Sequence, residues 1–303
     1  MKPVILDVDT GIDDALAIAY ALNSPELEIL GLTTCFGNGP VEKTTRNTLV
    51  VLEQLGKSVP VYPGADKPLS RPPKKFPTHI HGEDGLGNRV AKSPVMEAES
   101  ESAVDYIINQ VKQRPNEITI IAVGPLTNLA HAVKKDPEIV SLVKEVVIMG
   151  GAVFIKGNVT PYSEANIFTD PHAAECVFSS GLPVTLVGLD VTMKTLLPNT
   201  ILADWRATGR EVSDFFADMT SFYMHAYETF HPGIGGCALH DPLAVGVVVD
   251  PSFIKKETWN VKVFLEGEEM GRTVAQAEGE PKIQVCTRVE ADRFLNHFLN
   301  RLF

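Results

Sequence analysis

Along most of the chain, short apolar runs alternate with stretches in which apolar positions return every three or four residues. Residues 4–8 form a first apolar strand, and 13–22 read as a helix. A second strand follows over 28–34, then an amphipathic helix over 41–55 and a third short strand over 59–62. The next stretch, 63–97, is irregular and rich in proline and glycine; so long a loop in a compact domain is usually functional or mobile. The alternation resumes with a helix over 102–113, a buried strand over 118–123, a helix over 126–134 and a strand over 145–149. A second loop, bearing glycine and asparagine, covers 151–168, ahead of a helix over 171–179 and a strand over 184–189. Residues 200–230 read as mainly helical, 231–239 as a glycine-rich loop and 242–249 as a helix. The end differs: strands near 258–265, 271–276 and 282–288 precede a final helix over 290–302.

This order predicts an α/β fold, an open and mostly parallel doubly wound sheet of Rossmann-like kind, with extra strands toward the C-terminus. Nothing in the sequence resembles a linker or an internal repeat, so residues 1–303 are expected to form one domain. Ligands of such sheets bind beyond the carboxyl ends of the strands. Motifs directly after a strand therefore have the first claim on function.

Composition narrows the partners. The chain is 44% hydrophobic and 21% charged, enough apolar residue for a large core. Its net charge of −11 argues against nucleic acid, whose binders carry basic surface, and favours a small polar ligand or a cation. Cys35, Cys176, Cys237 and Cys286 lie far apart with no CxxC pair, which speaks against a zinc framework and for a reduced compartment. The N-terminal apolar run meets Asp7 after three residues, too soon for a signal-peptide core, and no stretch is long enough to span a bilayer. The expectation is a cytoplasmic protein without membrane contact.

The sharpest chemical signal is DVDTGIDDA, residues 7–15, with four carboxylates in eight positions. Asp7 and Asp9 share one face of a strand end, because side chains alternate along a strand. Asp13 and Asp14 fall in the first turn of the next helix. Thr10-x-x-Asp13 matches a capping box, and acids favour helix N-termini; this does not explain Asp7 and Asp9. Such crowding is repulsive unless a cation or a shared proton neutralises it, so a hard-metal site is expected. An EF-hand is excluded, since Ile12 and Ile18 stand where it needs glycine and glutamate.

Other strings are weaker alone. In TTCFGN (33–38), Asn38 can donate to a ligand, though a Gly-Asn turn explains it as well. HIHGEDGLG (79–87) has histidines beside acids, without the further ligand pair zinc needs. VGPLTN (123–128) offers main-chain carbonyls at a strand-to-helix turn, or is a plain tight turn. GNVTPYSEAN (157–166) holds Asn158, Glu164 and Asn166, suited to gripping sugar hydroxyls, or is a polar surface loop. LHDP (239–242) pairs His240 with Asp241, which fits an N-cap followed by proline at the first helical position.

Together, in this order and spacing, these strings resemble the inosine–uridine-preferring nucleoside hydrolases over almost the whole chain; IAVGPLTN, VVIMGG and ALHDP belong to the same pattern. The resemblance implies an open α/β sheet, a bound calcium ion, a ribonucleoside substrate and a homodimer or homotetramer. It implies calcium ligands at Asp9, Asp14 and Asp241 through carboxylates and at Val123 through its carbonyl. Asp9 is then also the base that takes a proton from a calcium-bound water. Asp13, Asn38, Asn158, Glu164 and Asn166 are implied to hold the ribose hydroxyls, with Asp7 supporting from behind. His81 and His240 face the nucleobase, and His240 assists its departure. Ala165 stands where many relatives have a bulkier aromatic residue, and the glycine-rich 231–238 loop with Cys237 leaves the base contacts on that side open. Tyr223 and Tyr227, four apart on one helix, reach the base or belong to the core.

Two rival readings remain. DVDT also matches the nucleophile motif of haloacid-dehalogenase-type phosphotransferases, but that pattern does not continue as GIDDA, and no clear catalytic lysine follows. A calcium-stabilised nucleoside-binding protein without turnover would keep the ribose residues; an intact Asp9 and His240 argue against it.

Overall fold

A computed structural model describes residues 1–302 except 73, 74, 91, 280 and 281. Its nine-stranded sheet is built from β1 (Lys2–Val8), β2 (Leu27–Thr34), β3 (Val61–Pro63), β4 (Thr119–Ala122), β5 (Glu145–Met149) and β6 (Val184–Val187), with three later strands. Two short strands, β7 (Leu196–Pro198) and β8 (Gly236–Ala238), pair with each other apart from it. The later strands are β9 (Ile254–Val263), β10 (Thr273–Gln276) and β11 (Ile283–Val289). The order across the sheet is β10-β9-β11-β6-β5-β4-β1-β2-β3. All neighbours from β11 to β3 are parallel, and β9 alone runs against its two partners.

Both faces are covered, as a parallel sheet requires. Val4, Leu6 and Val8 of β1 enter one apolar cluster, whereas Ile5 enters the other. Ile121 against Ile120, and Val147 against Val146, divide the same way. This period-two alternation of apolar residues is what sequence patterning shows as unbroken apolar runs.

The chain proceeds outward from β1 in one direction through β2 and β3, then returns to β1's other side with β4. The crevice between the carboxyl ends of β1 and β4 is therefore the point where strand order reverses, the position at which doubly wound sheets bind ligands. Asp7 and Asp9 leave β1 there, and Val123 leaves β4.

Several boundaries differ from the sequence reading. Residues 73, 74 and 91 of the expected 63–97 loop lie outside the described residues; within the rest a helix of one turn, Thr78–His81, is formed. The 151–168 loop ends in a short helix, Ala165–Thr169, capped by the Glu164 side chain. The strand expected to reach 189 stops at Val187 and turns into the helix Leu189–Thr192. The stretch 200–230 divides into Ile201–Ala207 and Glu211–Phe230, with Gly209 at φ +65° between them. The 231–239 loop contains β8. Asp241 is not an N-cap: the helix His240–Val249 begins one residue earlier, with Leu239 at its cap. Pro242 still lies in the first turn, where its missing N–H is harmless.

Candidate active site

Asp14, at the start of the helix Ile12–Leu22, organises the loop that carries the acids. One oxygen accepts from the Asp9 amide at 3.0 Å, and the other from the Gly11 amide at 2.9 Å. The helix is thus capped by Asp14 rather than by the Thr10–Asp13 box. Asn38, just after β2, adds a 3.2 Å side-chain bond to Asp14, while its own amide donates to Asp9 Oδ2 at 2.8 Å. Asp9 is wedged between two loops that only glycine allows so close. A Cβ at Gly37 would stand 2.0 Å from Asp9 Oδ2, and one at Gly124 would stand 2.6 Å from Oδ1.

Asp7 lies behind. It accepts from Thr33 Oγ1 at 2.5 Å and Asn128 Nδ2 at 2.8 Å, and its second oxygen is buried without a partner. Asn128 also holds the Thr34 carbonyl and the Ala65 amide, tying the ends of β1 and β2 to the turn after β4.

The helix His240–Val249 brings Asp241 to this cluster from across the fold. One carboxylate oxygen each from Asp13, Asp14 and Asp241 lies within 4.8 Å of the others. Asp9 is not in this tightest group but adjoins it, and the carboxylates repel one another. Burial is the largest cause pushing the Asp9 and Asp241 carboxyls well above the usual range, with neighbouring aspartates adding to it. Burial, then Asp13, raises Asp14 to about 7. Asp7 is raised by burial to about 6 against its two hydrogen bonds. Asp13 Oδ1 is buried and unpartnered, although Tyr223 donates to Oδ2 at 3.2 Å.

Above these acids lies a cavity of about 430 Å³, within the range of small-ligand sites. Asp9, Asp13, Asn38, His81, Val123, Asn158, Glu164, Asn166, His240 and Asp241 all line it. Asp14 lies beneath, fully buried. Every site residue expected from sequence is thus gathered into one place.

One wall is aromatic. His81 Nδ1 accepts from the Ile12 amide at 3.1 Å, which puts the ring proton on Nε2, and its ring stacks on Tyr223 at 5.5 Å. Burial lowers its pKa. His240 Nδ1 meets Thr192 Oγ1 at 2.7 Å, and Nε2 meets the Tyr227 hydroxyl at 2.5 Å. Burial pulls its pKa down to about 4, so at neutral pH the ring is uncharged and one member of a hydrogen-bonded chain. Tyr223 and Tyr227 stand edge to face at 5.0 Å, both buried, and both line the cavity.

A further part of the lining comes from the 151–168 loop. The Glu164 oxygens accept from the amides of Gly151, Asn166 and Ile167 at 2.9–3.1 Å. Asn166 Nδ2 donates to the Val123 carbonyl at 2.7 Å, fixing its direction, and Asn158 Oδ1 accepts from the Ala165 amide.

Sequence reasoning gave no role to Thr192, Thr169, Phe230 or His231. Thr192 was findable, since GLDVT directly follows β6. Thr169, Phe230 and His231 enter at helix ends that no pattern in the chain assigns to this crevice; Met149 and His79, which also line it, lie in the VVIMGG and HIHGEDGLG strings.

Residues 4–296 match the model of the inosine-uridine preferring nucleoside hydrolases. The chain belongs to this family. It is a hydrolase of N-glycosidic bonds. A structure of the purine-preferring ribonucleoside hydrolase from Gardnerella vaginalis superposes with a TM-score of 0.96 at 44% identity, over 99% of this chain and 98% of that one. Uridine nucleosidase 1 of Arabidopsis thaliana is 40% identical over 90% of this chain and 81% of its own length. The pyrimidine-specific ribonucleoside hydrolase RihB of Escherichia coli (strain SE11) is 38% identical over 92% and 88%. No helix among the described residues is long and apolar enough to cross a membrane.

Proposed function

We propose that this nucleoside hydrolase is calcium-dependent and cleaves ribonucleosides with water into ribose and the free base. The observation that carries the reading is a floor of buried carboxylates facing a wall of hydrogen-bonded tyrosine and histidine across one small cavity. The named relatives include purine- and pyrimidine-directed enzymes, so the assignment is to ribonucleosides as a class.

The residues fit a hard divalent cation. All the donors are oxygen, the hydrogen-bond partners of Asp9, Asp13 and Asp14 are neutral amides and hydroxyls, and a buried oxygen of Asp13 is left unpartnered. Asp9, Asp14 and Asp241, with the Val123 carbonyl, would hold it. When bound, calcium lowers the pKa of a water and offers coordination sites to ribose oxygens.

The chain's own residues supply the rest. Burial and neighbouring acids make Asp9 a stronger base than an exposed aspartate, suited to removing a proton from the attacking water. The remaining carboxylates stabilise positive charge growing on the ribose as the glycosidic bond stretches. Asp13, Asn38, Asn158, Glu164 and Asn166 orient the sugar hydroxyls. The departing base, against His81 and Tyr223, takes its proton through the Tyr227–His240 chain. A neutral His240 serves here by relay through the tyrosine hydroxyl.

The test is product analysis. Purified, calcium-loaded protein incubated with inosine, uridine, cytidine and adenosine should release ribose and base from at least one; release from none contradicts the reading. We further infer a cytoplasmic setting, supported by four unpaired cysteines, and a homodimer or homotetramer, the assembly the family resemblance implies. Sedimentation of the purified chain checks the assembly, and a monomer at all concentrations contradicts it.

A further inference from the structure

We propose that Thr192 is a positioning residue for departure of the base: its hydroxyl fixes which nitrogen of His240 carries the ring proton, and so frees the Tyr227 hydroxyl hydrogen for the cavity. The inference rests on the ribonucleoside reading above and deepens its leaving-group step.

Thr192 ends the one-turn helix Leu189–Thr192, which follows β6, and is fully buried. This turn is bound to the start of the helix His240–Val249. Thr195 Oγ1 donates to the Thr192 carbonyl at 2.9 Å and to the Leu239 carbonyl at 3.4 Å, and the Leu239 amide donates to the Thr195 carbonyl at 2.9 Å. These bonds hold the residue before His240 against the turn, and the imidazole meets Thr192 Oγ1 at 2.7 Å through Nδ1.

The Thr192 hydroxyl forms no other hydrogen bond among the described residues. Were Nδ1 protonated, both groups would bring a hydrogen to this contact, and that of Thr192 would be buried without an acceptor, which is costly. Thr192 therefore donates to Nδ1, and the ring proton sits on Nε2. Nε2 lies 2.5 Å from the Tyr227 oxygen, which accepts that proton's hydrogen bond. The hydrogen of the Tyr227 hydroxyl is then left for the cavity, which Tyr227 lines. With the opposite tautomer Tyr227 would donate to Nε2 and have no proton to offer. As the base leaves, the Tyr227 O–H bond breaks and an N–H bond forms on the base. The electron pair left on oxygen is held by the His240 Nε2–H group until solvent returns a proton, and the proton that Asp9 takes from the attacking water balances it. Thr192 itself does not line the cavity, so its effect runs through His240.

The test compares the calcium-loaded parent with Thr192→Val, which keeps the shape but removes the hydroxyl, and Thr192→Ser, which keeps the hydroxyl. On the ribonucleoside that the parent hydrolyses fastest, Thr192→Val should lower kcat by about 10–100-fold with KM nearly unchanged, the range seen when the outer partner that fixes a ligating histidine's tautomer is removed. The same variant should hydrolyse a nitrophenyl riboside, which needs no proton to depart, at nearly the parent rate. Thr192→Ser should recover most of the loss. The ratio of the two substrates is taken within each variant, so loss of folded protein cancels. In the parent with isotope-labelled imidazole nitrogens, NMR should show His240 protonated at Nε2 alone. Equal losses on both substrates, a serine variant as slow as the valine variant, or a proton on Nδ1 overturns the proposal. If the parent hydrolyses no ribonucleoside, the functional reading fails and takes the proposal with it; the NMR arm separates that failure from a wrong tautomer.

Discussion

Asp7 and Asp9 leave the same strand two residues apart, yet their surroundings give them different work. Asp9 lines the cavity; Asp7 is spent on Thr33 and Asn128 behind it. Asp9→Asn should therefore reduce turnover by about 10²–10⁴-fold, the value of a general base, with the fold retained. Activity within a few-fold of the parent would remove Asp9 from that role. Asp7→Asn should cost less turnover but change the pH dependence of stability. The folded pKa of Asp7 is raised to about 6 from an ordinary value near 4, so its contribution is fully present below about pH 4 and lost as pH rises through about 6. In calcium-free protein, the stability difference between parent and Asp7→Asn should shift toward the variant between about pH 4 and 6, then flatten. Denaturation midpoints that differ by a constant across that range would contradict the burial argument. On the leaving-group side, Tyr227→Phe and His240→Ala should slow inosine hydrolysis by about 10²–10⁴-fold and barely affect a nitrophenyl riboside, which needs no proton to depart. Equal losses on both substrates would reduce the pair to positioning the base.

At the scale of elements, the site is a meeting of strand ends with the start of one distant helix. The strand-end part was legible in sequence because Asp7–Asp14, Asn38 and Val123 each follow an apolar run, and the carboxyl ends of a parallel sheet converge. The acids' role in the loop was less so. Thr10-x-x-Asp13 looks like a cap, but the cap is Asp14, because its two oxygens reach the amides of Asp9 and Gly11 together. Asp241 fits both an N-cap and a metal ligand in the sequence; the helix starts at His240, so Asp241 is not the cap, and its carboxylate joins the others. The pairing of β7 with β8, and the Tyr227–His240 hydrogen bond, form only once the tertiary fold brings separate elements together; no local pattern encodes them. The close approach of loops to Asp9 gives an element-scale test. Gly124→Ala places a methyl 2.6 Å from Asp9 Oδ1, so the strand-to-helix turn after β4 must move or Asp9 must rotate. Displacement on that scale should cost about 10²-fold in kcat with a folded protein. An undiminished kcat would show that the β1–β4 crevice is not the catalytic point.

Across the whole molecule, strand order and acid placement serve one arrangement. The reversal between β1 and β4 opens a crevice, both sheet faces are packed, and mutually repelling carboxylates from opposite ends of the chain are buried at the crevice floor. Burying unpaired charges is costly, and the raised carboxyl pKa values record that cost. A divalent cation offsets it and should bind tightly for that reason. The account therefore turns on metal and activity being one phenomenon. The most direct measurement is ribose release from the best ribonucleoside by chelator-stripped protein, titrated with calcium. Activity should be absent without calcium and rise to a plateau at one ion per chain; full activity in the stripped protein, or no recovery on adding calcium, would contradict the account.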